Sequence, residues 1–370
     1  MPKHYSKINI ESYRGIKDLE LNDLSAVNVI VGDNNVGKTS VLEAISLLSD
    51  PNQYNVFQVA RQREKYQISN LIGLNSLDLF MYLFNIDSEM KYKNEYKLKI
   101  TGIFNGFPTF IDIQGEIIQQ LIDIESSKSN ILGIERMKSN RLEEVKTFIG
   151  AIQHSTLKNE ELSNRTENIE FNEYSGIIKT SKDEEIVKVE MVQTIDHIVG
   201  NAFSNIIKNK DMKTNAVNLL KFFDPSIVDL RFINEDNRFI PVIECESRDY
   251  LPLSMYGEGM KKALTILNAL VVAENGVVLI DEFETAVHTS VMTKVFEFMI
   301  FVADKMNIQL FLTTHSIEAV DKLILSSGKS IDKIRVITLK RNNDSGNILS
   351  RSMKGSEVLE DRNNFDFEVR

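Results

Sequence analysis

Val27-Asn28-Val29-Ile30-Val31-Gly32-Asp33-Asn34-Asn35-Val36-Gly37-Lys38-Thr39-Ser40 is the stretch whose reading decides the fold. An apolar run, a glycine-bounded loop and a helical pattern follow one another. The loop fits G-x-x-x-x-G-K-[ST], the phosphate-binding pattern. Gly32 and Gly37 permit turns that a Cβ would block. The N–H groups of Gly32, Asp33, Asn34, Asn35, Val36 and Gly37 then face inward as a phosphate cradle. A helix beginning near Lys38, with Ser40 in its first turn, adds its positive dipole end. Lys38 supplies a mobile cation for the terminal phosphates, and the Thr39 hydroxyl is an expected Mg²⁺ ligand. The expected fold class is α/β, a P-loop NTPase.

On either side of the loop the pattern is β-rich. Ser6 to Tyr13 alternates polar and apolar residues, Arg14-Gly15 reads as a turn, and Ile16 to Leu21 pairs back as a hairpin. Val27 to Val31 reads as a central strand buried on both faces. Val41, Leu42, Ile45 and Leu48 fall at helical spacing until Asp50-Pro51-Asn52 stops the helix. Asn105-Gly106 sits between two strand patterns, the strongest short-range hairpin signal. The first lobe, 1–114, is thus expected to be a mixed sheet with antiparallel strands at its edge. Residues 115–222 change character. Ile131 to Phe148 carries Lys, Glu and Arg with apolar residues at helical spacing, 159–172 is polar, and 192–223 is helical in pattern. This segment is expected to be a largely helical insertion with a polar hinge.

The third segment, 223–370, carries the remaining chemistry. Val277-Val278-Leu279-Ile280-Asp281-Glu282 is an apolar strand ending in two carboxylates, the form of a Walker B element. Asp281 is placed to hold Mg²⁺ opposite Thr39, and Glu282 to polarise the attacking water. Thr313-Thr314-His315-Ser316 ends the next predicted strand, where His315 can meet the γ-phosphate and the water. Leu253 to Lys262 contains Ser254, Gly257 and Gly259 at a helix start, a second anion-binding turn.

Composition narrows the remaining choices. The chain has 370 residues, 42% of them hydrophobic, with 43 basic and 53 acidic side chains and a formal net charge of −10. An acidic chain does not suggest broad DNA binding. The single cysteine, Cys245, excludes an intramolecular disulfide and fits a reducing cytoplasm. In its strand-like setting it reads as a core thiol. No apolar run is long enough to span a bilayer.

The order of these elements resembles the ATP-binding-cassette ATPases of the SMC, RecF and OLD (overcoming lysogenization defect) type. Ile8 to Ile16 looks like that group's first strand and turn. Ile280 to His288 looks like its Walker B and D-loop, and Leu253 to Lys262 like the looser OLD signature. The resemblance implies an ATPase head with mixed β-sheets flanked by helices, with ATP and Mg²⁺ as ligands. It implies a homodimer, or a higher even-numbered oligomer, in which Ser254, Gly257 and Gly259 act on the partner's nucleotide. Ser254 departs from the pattern by lying three residues before Gly257, so Gly257 is the alternative occupant of its place. Gln58 and Gln62 are the Q-loop candidates. Arg14 either approaches the nucleotide or is a surface turn arginine, and His288 is a packing or dimer-contact residue. About fifty residues follow His315, too few for the TOPRIM nuclease of many OLD-like proteins, and Asp366-Phe367-Glu368 reads as tail. A separate effector, with a nuclease as the candidate, is expected, as in phage-defence systems. The alternative is a DNA-repair or chromosome-maintenance head with a basic groove, for which Lys91, Lys93, Lys97 and Lys99, alternating on an expected edge strand, are the candidates, although a solvated edge protected from aggregation is the better reading of them. The long insertion and loose signature argue against a membrane-transporter motor.

Overall fold

The computed structural model describes residues 4–62, 75–85, 93–123, 142–158, 161–175, 185–199, 203–235, 238–246 and 248–365. The first part runs β1 (Tyr5–Tyr13), β2 (Ile16–Leu21), β3 (Val27–Gly32), α1 (Lys38–Ser49), α2 (Gln53–Arg61), α3 (Ser76–Met81), β4 (Tyr96–Phe104) and β5 (Phe107–Asp123). Next come β6 (Leu142–Lys158), β7 (Glu161–Asn172), β8 (Val189–Val192), α4 (Asp196–Val199), α5 (Ser204–Lys208) and α6 (Lys210–Leu220). The last part holds β9 (Ile227–Glu235), β10 (Arg238–Cys245), β11 (Arg248–Pro252), α7 (Glu258–Val272), β12 (Val277–Ile280) and α8 (Thr289–Lys305). It closes with β13 (Gln309–Thr314), α9 (Ile317–Ser326), β14 (Ile334–Arg341), β15 (Ile348–Lys354) and α10 (Gly355–Phe365).

The central sheet has the order β15-β14-β3-β13-β12-β8. Its strands are parallel except for β15, which pairs antiparallel on β14. Strand β3 is apolar on both faces because both are covered. Val27, Val29 and Val31 enter the core built with α6, α7, α8 and α9, while Ile30 enters the core built with α1 and the antiparallel sheet. That second sheet has the order β2-β1-β4-β5-β6-β7. The antiparallel strands therefore form a sheet of their own, not an edge of the β3 sheet. Gln309 ties the two layers: its side chain accepts the Tyr5 N–H and donates to the Tyr5 and Ser25 carbonyls.

Helix α1 lies between the two sheets. Every residue of it except Thr39 is buried. The expected one-sided apolar stripe is thus a helix covered all round. Its Glu43 needs a buried partner, and Arg14 is that partner, with Nε 2.8 Å from Glu43 Oε2 and the Tyr13 hydroxyl donating at 3.1 Å. Arg14 is neither a surface arginine nor one directed at the nucleotide.

The Asn105-Gly106 hairpin forms as expected, with Phe104 opposite Phe107 and both turn residues at positive φ. The insertion does not follow expectation. The boundary at 114/115 falls inside β5, and the described residues of 115–172 are strand, not helix. Residues 131–141 lie outside the described residues. Strands β5 and β6 pair in register from Ile111–His154 to Asp123–Leu142, and β7 continues the sheet. Gly115 and Gly150 face each other there. A Cβ on Gly150 would lie 2.2 Å from the Gln114 carbonyl oxygen, so the close approach requires glycine. Phe148 lies against this pair and joins the rings of Phe80, Phe84 and Tyr96. Tertiary pairing overrides the helical spacing of the Lys/Glu-rich sequence. The helical expectation holds for the later part, where α4, α5 and α6 follow β8.

Candidate functional site

The phosphate loop connects β3 to α1 at the carboxyl ends of the parallel strands. Open α/β sheets place their ligands there. Gly32 has φ 153°, and a Cβ on it would lie 2.6 Å from the Leu339 carbonyl oxygen. Gly37 has φ 104° and Asn35 φ 62°. The start of α1 has no side-chain cap and no acidic residue in its first turn, so its N–H groups remain directed at the loop. Lys38 Nζ folds back and donates to the Gly32 and Asp33 carbonyls at 2.8 and 2.9 Å. Burial lowers the Lys38 pKa, while the carboxylates of Glu282, Asp281, Asp33 and Glu284 act against that fall.

The second half of the site comes from β12 and β13. Thr39 Oγ1 donates to the Asp281 carboxylate at 3.1 and 3.2 Å, across 242 residues of sequence. Thr313 Oγ1 donates to Asp281 at 2.6 Å and accepts the Glu282 N–H at 2.9 Å. The Asp281 N–H reaches the Val192 carbonyl at 2.9 Å, so β8 supports the Walker B strand. Glu282 sits at φ 46° and its Oε2 accepts the Thr285 hydroxyl at 3.3 Å. His315 Nδ1 lies 3.6 Å from Glu282 and 3.9 Å from Glu284. A cleft of about 160 Å³ separates the phosphate loop from this histidine, lined by Val31, Gly32, Asp33, Asn34, His315, Ser316, Ile317 and Val320. The Thr39 hydroxyl and Asp281 carboxylate form a paired oxygen donor set suited to a hard divalent cation, and the loop suits phosphate.

The signature candidates are elsewhere. Ser254 is exposed in a short 3₁₀ turn, Leu253–Met255, and Gly257 caps α7 with open space where a Cβ would be. Neither lines the cleft. Gly259 packs against the D-loop: its Cβ would lie 2.6 Å from the Ala286 carbonyl oxygen. His288 accepts the Ser290 N–H and caps α8. Gln62 at the end of α2 donates to Met191 Sδ at 3.2 Å, one residue before Val192. Gln58 lies one helical turn earlier in α2. Cys245 is buried and its Sγ lies 3.2 Å from the Tyr256 hydroxyl. Strand β4 is interior to its sheet, between β1 and β5, and Lys99 pairs with Glu11 at 2.8 Å. The expected lysine edge is therefore not an edge. Lys91 and Asp366 to Glu368 lie outside the described residues.

Sequence reasoning missed two charged groups here. Lys262 in α7 is fully buried and donates to the Gln193 and Thr194 carbonyls at 3.2 and 3.5 Å. Glu284 accepts the Thr314 hydroxyl. A lysine set among Met260, Ala263 and Leu264 was the available signal for the first; the second had none.

Phosphate loop, Walker B carboxylates and strand-end histidine on adjacent parallel strands define an ABC-type ATPase head of the SMC and RecF group. More narrowly, the chain belongs to the family described as "AAA domain, putative AbiEii toxin, Type IV TA system", whose profile matches residues 27–321. An "ATP/GTP phosphatase" of Helicobacter pylori is 23% identical over 331 residues, covering 86% of this chain and 87% of that protein. The "DNA replication and repair protein RecF" of Pseudoalteromonas translucida is 32% identical over 101 residues, 26% of each chain. Among solved structures, an Smc head domain with an extended coiled coil, bound to the C-terminal domain of ScpA derived from Pyrococcus furiosus, superposes with TM-score 0.51 at 10% identity. It covers 99% of this chain and 100% of that one. An SmcHead bound to the C-winged helix domain of ScpA gives TM-score 0.50 at 11% identity, over 96% and 99%. These two likenesses concern the fold. No helix among the described residues is long and apolar enough to cross a membrane.

Proposed function

We propose that this chain hydrolyses ATP with Mg²⁺, closes on a second copy when ATP is bound, and controls a separate effector protein in anti-phage defence. The observation that carries the enzymatic part is the meeting of Thr39 with Asp281 and of Glu282 with His315 at the carboxyl ends of the neighbouring strands β3, β12 and β13. The loop N–H groups and the α1 terminus bind the phosphates, and Lys38 exchanges its two loop carbonyls for phosphate oxygens. Thr39 and Asp281 would hold the metal ion, which would supply charge neutralisation to the bound triphosphate. Glu282 accepts a proton from the attacking water, and His315 orients the γ-phosphate. The relative named as an ATP/GTP phosphatase supports this reaction class.

The dimer rests on the exposed signature turn, which does not line the chain's own cleft. The effector and the defence role rest on the OLD-like resemblance and the family description. The relative named RecF favours a second reading, a head acting on DNA. Phosphate release from ATP, measured alongside DNA binding with and without ATP over a salt series, separates them. Hydrolysis with no ATP-dependent DNA binding supports the first. A chain that releases no phosphate from any nucleoside triphosphate contradicts both.

A further inference from the structure

Glu284 lies in the D-loop, two residues beyond Glu282. Its side chain is nine-tenths buried, with 10% exposure. Oε1 accepts the Thr314 hydroxyl, and Thr314 Oγ1 accepts the Ser316 N–H at 2.9 Å. The carboxylate therefore clamps the backbone on both sides of His315. Its other oxygen, Oε2, is buried and has no hydrogen-bond partner among the described residues. The oxygen nearer His315 is Oε1, 3.9 Å from Nδ1, and a carboxylate oxygen that accepts one hydroxyl has capacity for a second donor. Lys262, buried in α7, faces Glu284 electrostatically and keeps a counter-charge nearby. Burial raises the Glu284 pKa, and the Thr314 hydrogen bond and His315 oppose the rise.

The His315 ring hangs between two carboxylates. At 3.6 and 3.9 Å from Nδ1, neither distance is a hydrogen bond. Glu282 is the more exposed of the two, at 35% against 10%, and is the one that reaches solvent. A carboxylate engaged with the imidazole is not free to take a proton from water. We propose that Glu284 is a positioning residue for hydrolysis: it accepts the Nδ1–H of His315, turns Nε2 toward the γ-phosphate, and leaves Glu282 to the attacking water. The inference rests on the ATPase reading above.

E284Q tests it, because the amide oxygen still accepts the Thr314 hydroxyl while the charge is lost. Steady-state ATP hydrolysis and equilibrium binding of a fluorescent ATP analogue are measured on the full chain, with melting temperature as the fold control. The expected result is a fall in kcat of about 10- to 100-fold, the usual range for groups that orient a ligating or catalytic side chain. Nucleotide affinity and melting temperature stay unchanged. In an H315A background the same substitution costs less than about twofold, because the ring through which it acts is gone. Full activity in E284Q, losses that multiply in the double variant, or a parallel loss of affinity and rate each overturn the proposal while wild-type turnover leaves the ATPase reading standing. A wild-type chain without turnover overturns that reading, and this inference with it.

Discussion

Lys38 donates to its own loop, to the Gly32 and Asp33 carbonyls. One charge pair at 4 Å and an effective dielectric of 20 contributes about 4 kcal/mol. The two carbonyl bonds given up offset roughly 1–2 kcal/mol of this. K38A should therefore weaken ATP binding by about 30- to 150-fold in equilibrium titration, and unchanged affinity would remove Lys38 from the site. E282Q should bind ATP normally and hydrolyse it about 10²–10⁴-fold more slowly; normal turnover would pass the water-activating role to His315. At this scale the sequence was legible where a role is fixed by local order. Gly32 to Thr39 and Asp281-Glu282 name themselves through spacing. Arg14, Lys262 and Glu284 do not, since each acquires its role from a residue distant in the chain: Glu43, Gln193 and Thr314.

Among the elements, α7 connects the signature turn to the Walker B strand. Gly259 meets the D-loop at Ala286, and Lys262 meets the turn after β8. G259A would push its methyl group into the Ala286 carbonyl oxygen. The expected cost is roughly 1–3 kcal/mol, read as a lower denaturation midpoint; an unchanged midpoint would mean that helix and D-loop separate freely. Lys262 makes a prediction with a sign. Burial pulls its pKa from 10.5 to about 8, against the opposing pull of Asp196, Asp281, Glu284 and Glu282. Between those values the unfolded chain holds a proton that the folded chain has released, so stability from this residue rises with pH. Relative to K262M, the wild type should gain on the order of 1 kcal/mol from pH 7 to pH 9, measured by denaturant unfolding at each pH. A difference that is flat or falls would contradict the buried ammonium. The β4–β5 hairpin and the parallel strands were readable from turn residues and apolar runs. Strands β6 and β7 were not, because Ile131 to Phe148 sets apolar residues at helical spacing among its charges and 159–172 is polar. What selects strand there is pairing to β5, the Gly115–Gly150 approach and the aromatic cluster around Phe148.

At the scale of the whole molecule, one sheet serves two cores and one site serves half a reaction. The cleft is walled by the phosphate loop on one side and His315 with the start of α9 on the other. Ser254, Met255, Gly257 and Glu258 form an exposed turn, with Met255 73% exposed, and none of them lines it. A second copy is the source of the missing wall in the proposed arrangement, and the nucleotide is its condition. A bound ATP that is not hydrolysed should therefore hold two copies together. E282Q with ATP and Mg²⁺ is expected to double in mass by light scattering, while the same protein without nucleotide stays lighter. The double variant K38A/E282Q should fail to dimerise under either condition, because it lacks the cation that retains the phosphates. Dimers that persist in that double variant would show contacts independent of the nucleotide. E282Q that remains monomeric with saturating ATP would mean the exposed turn at Gly257 meets something other than a second copy.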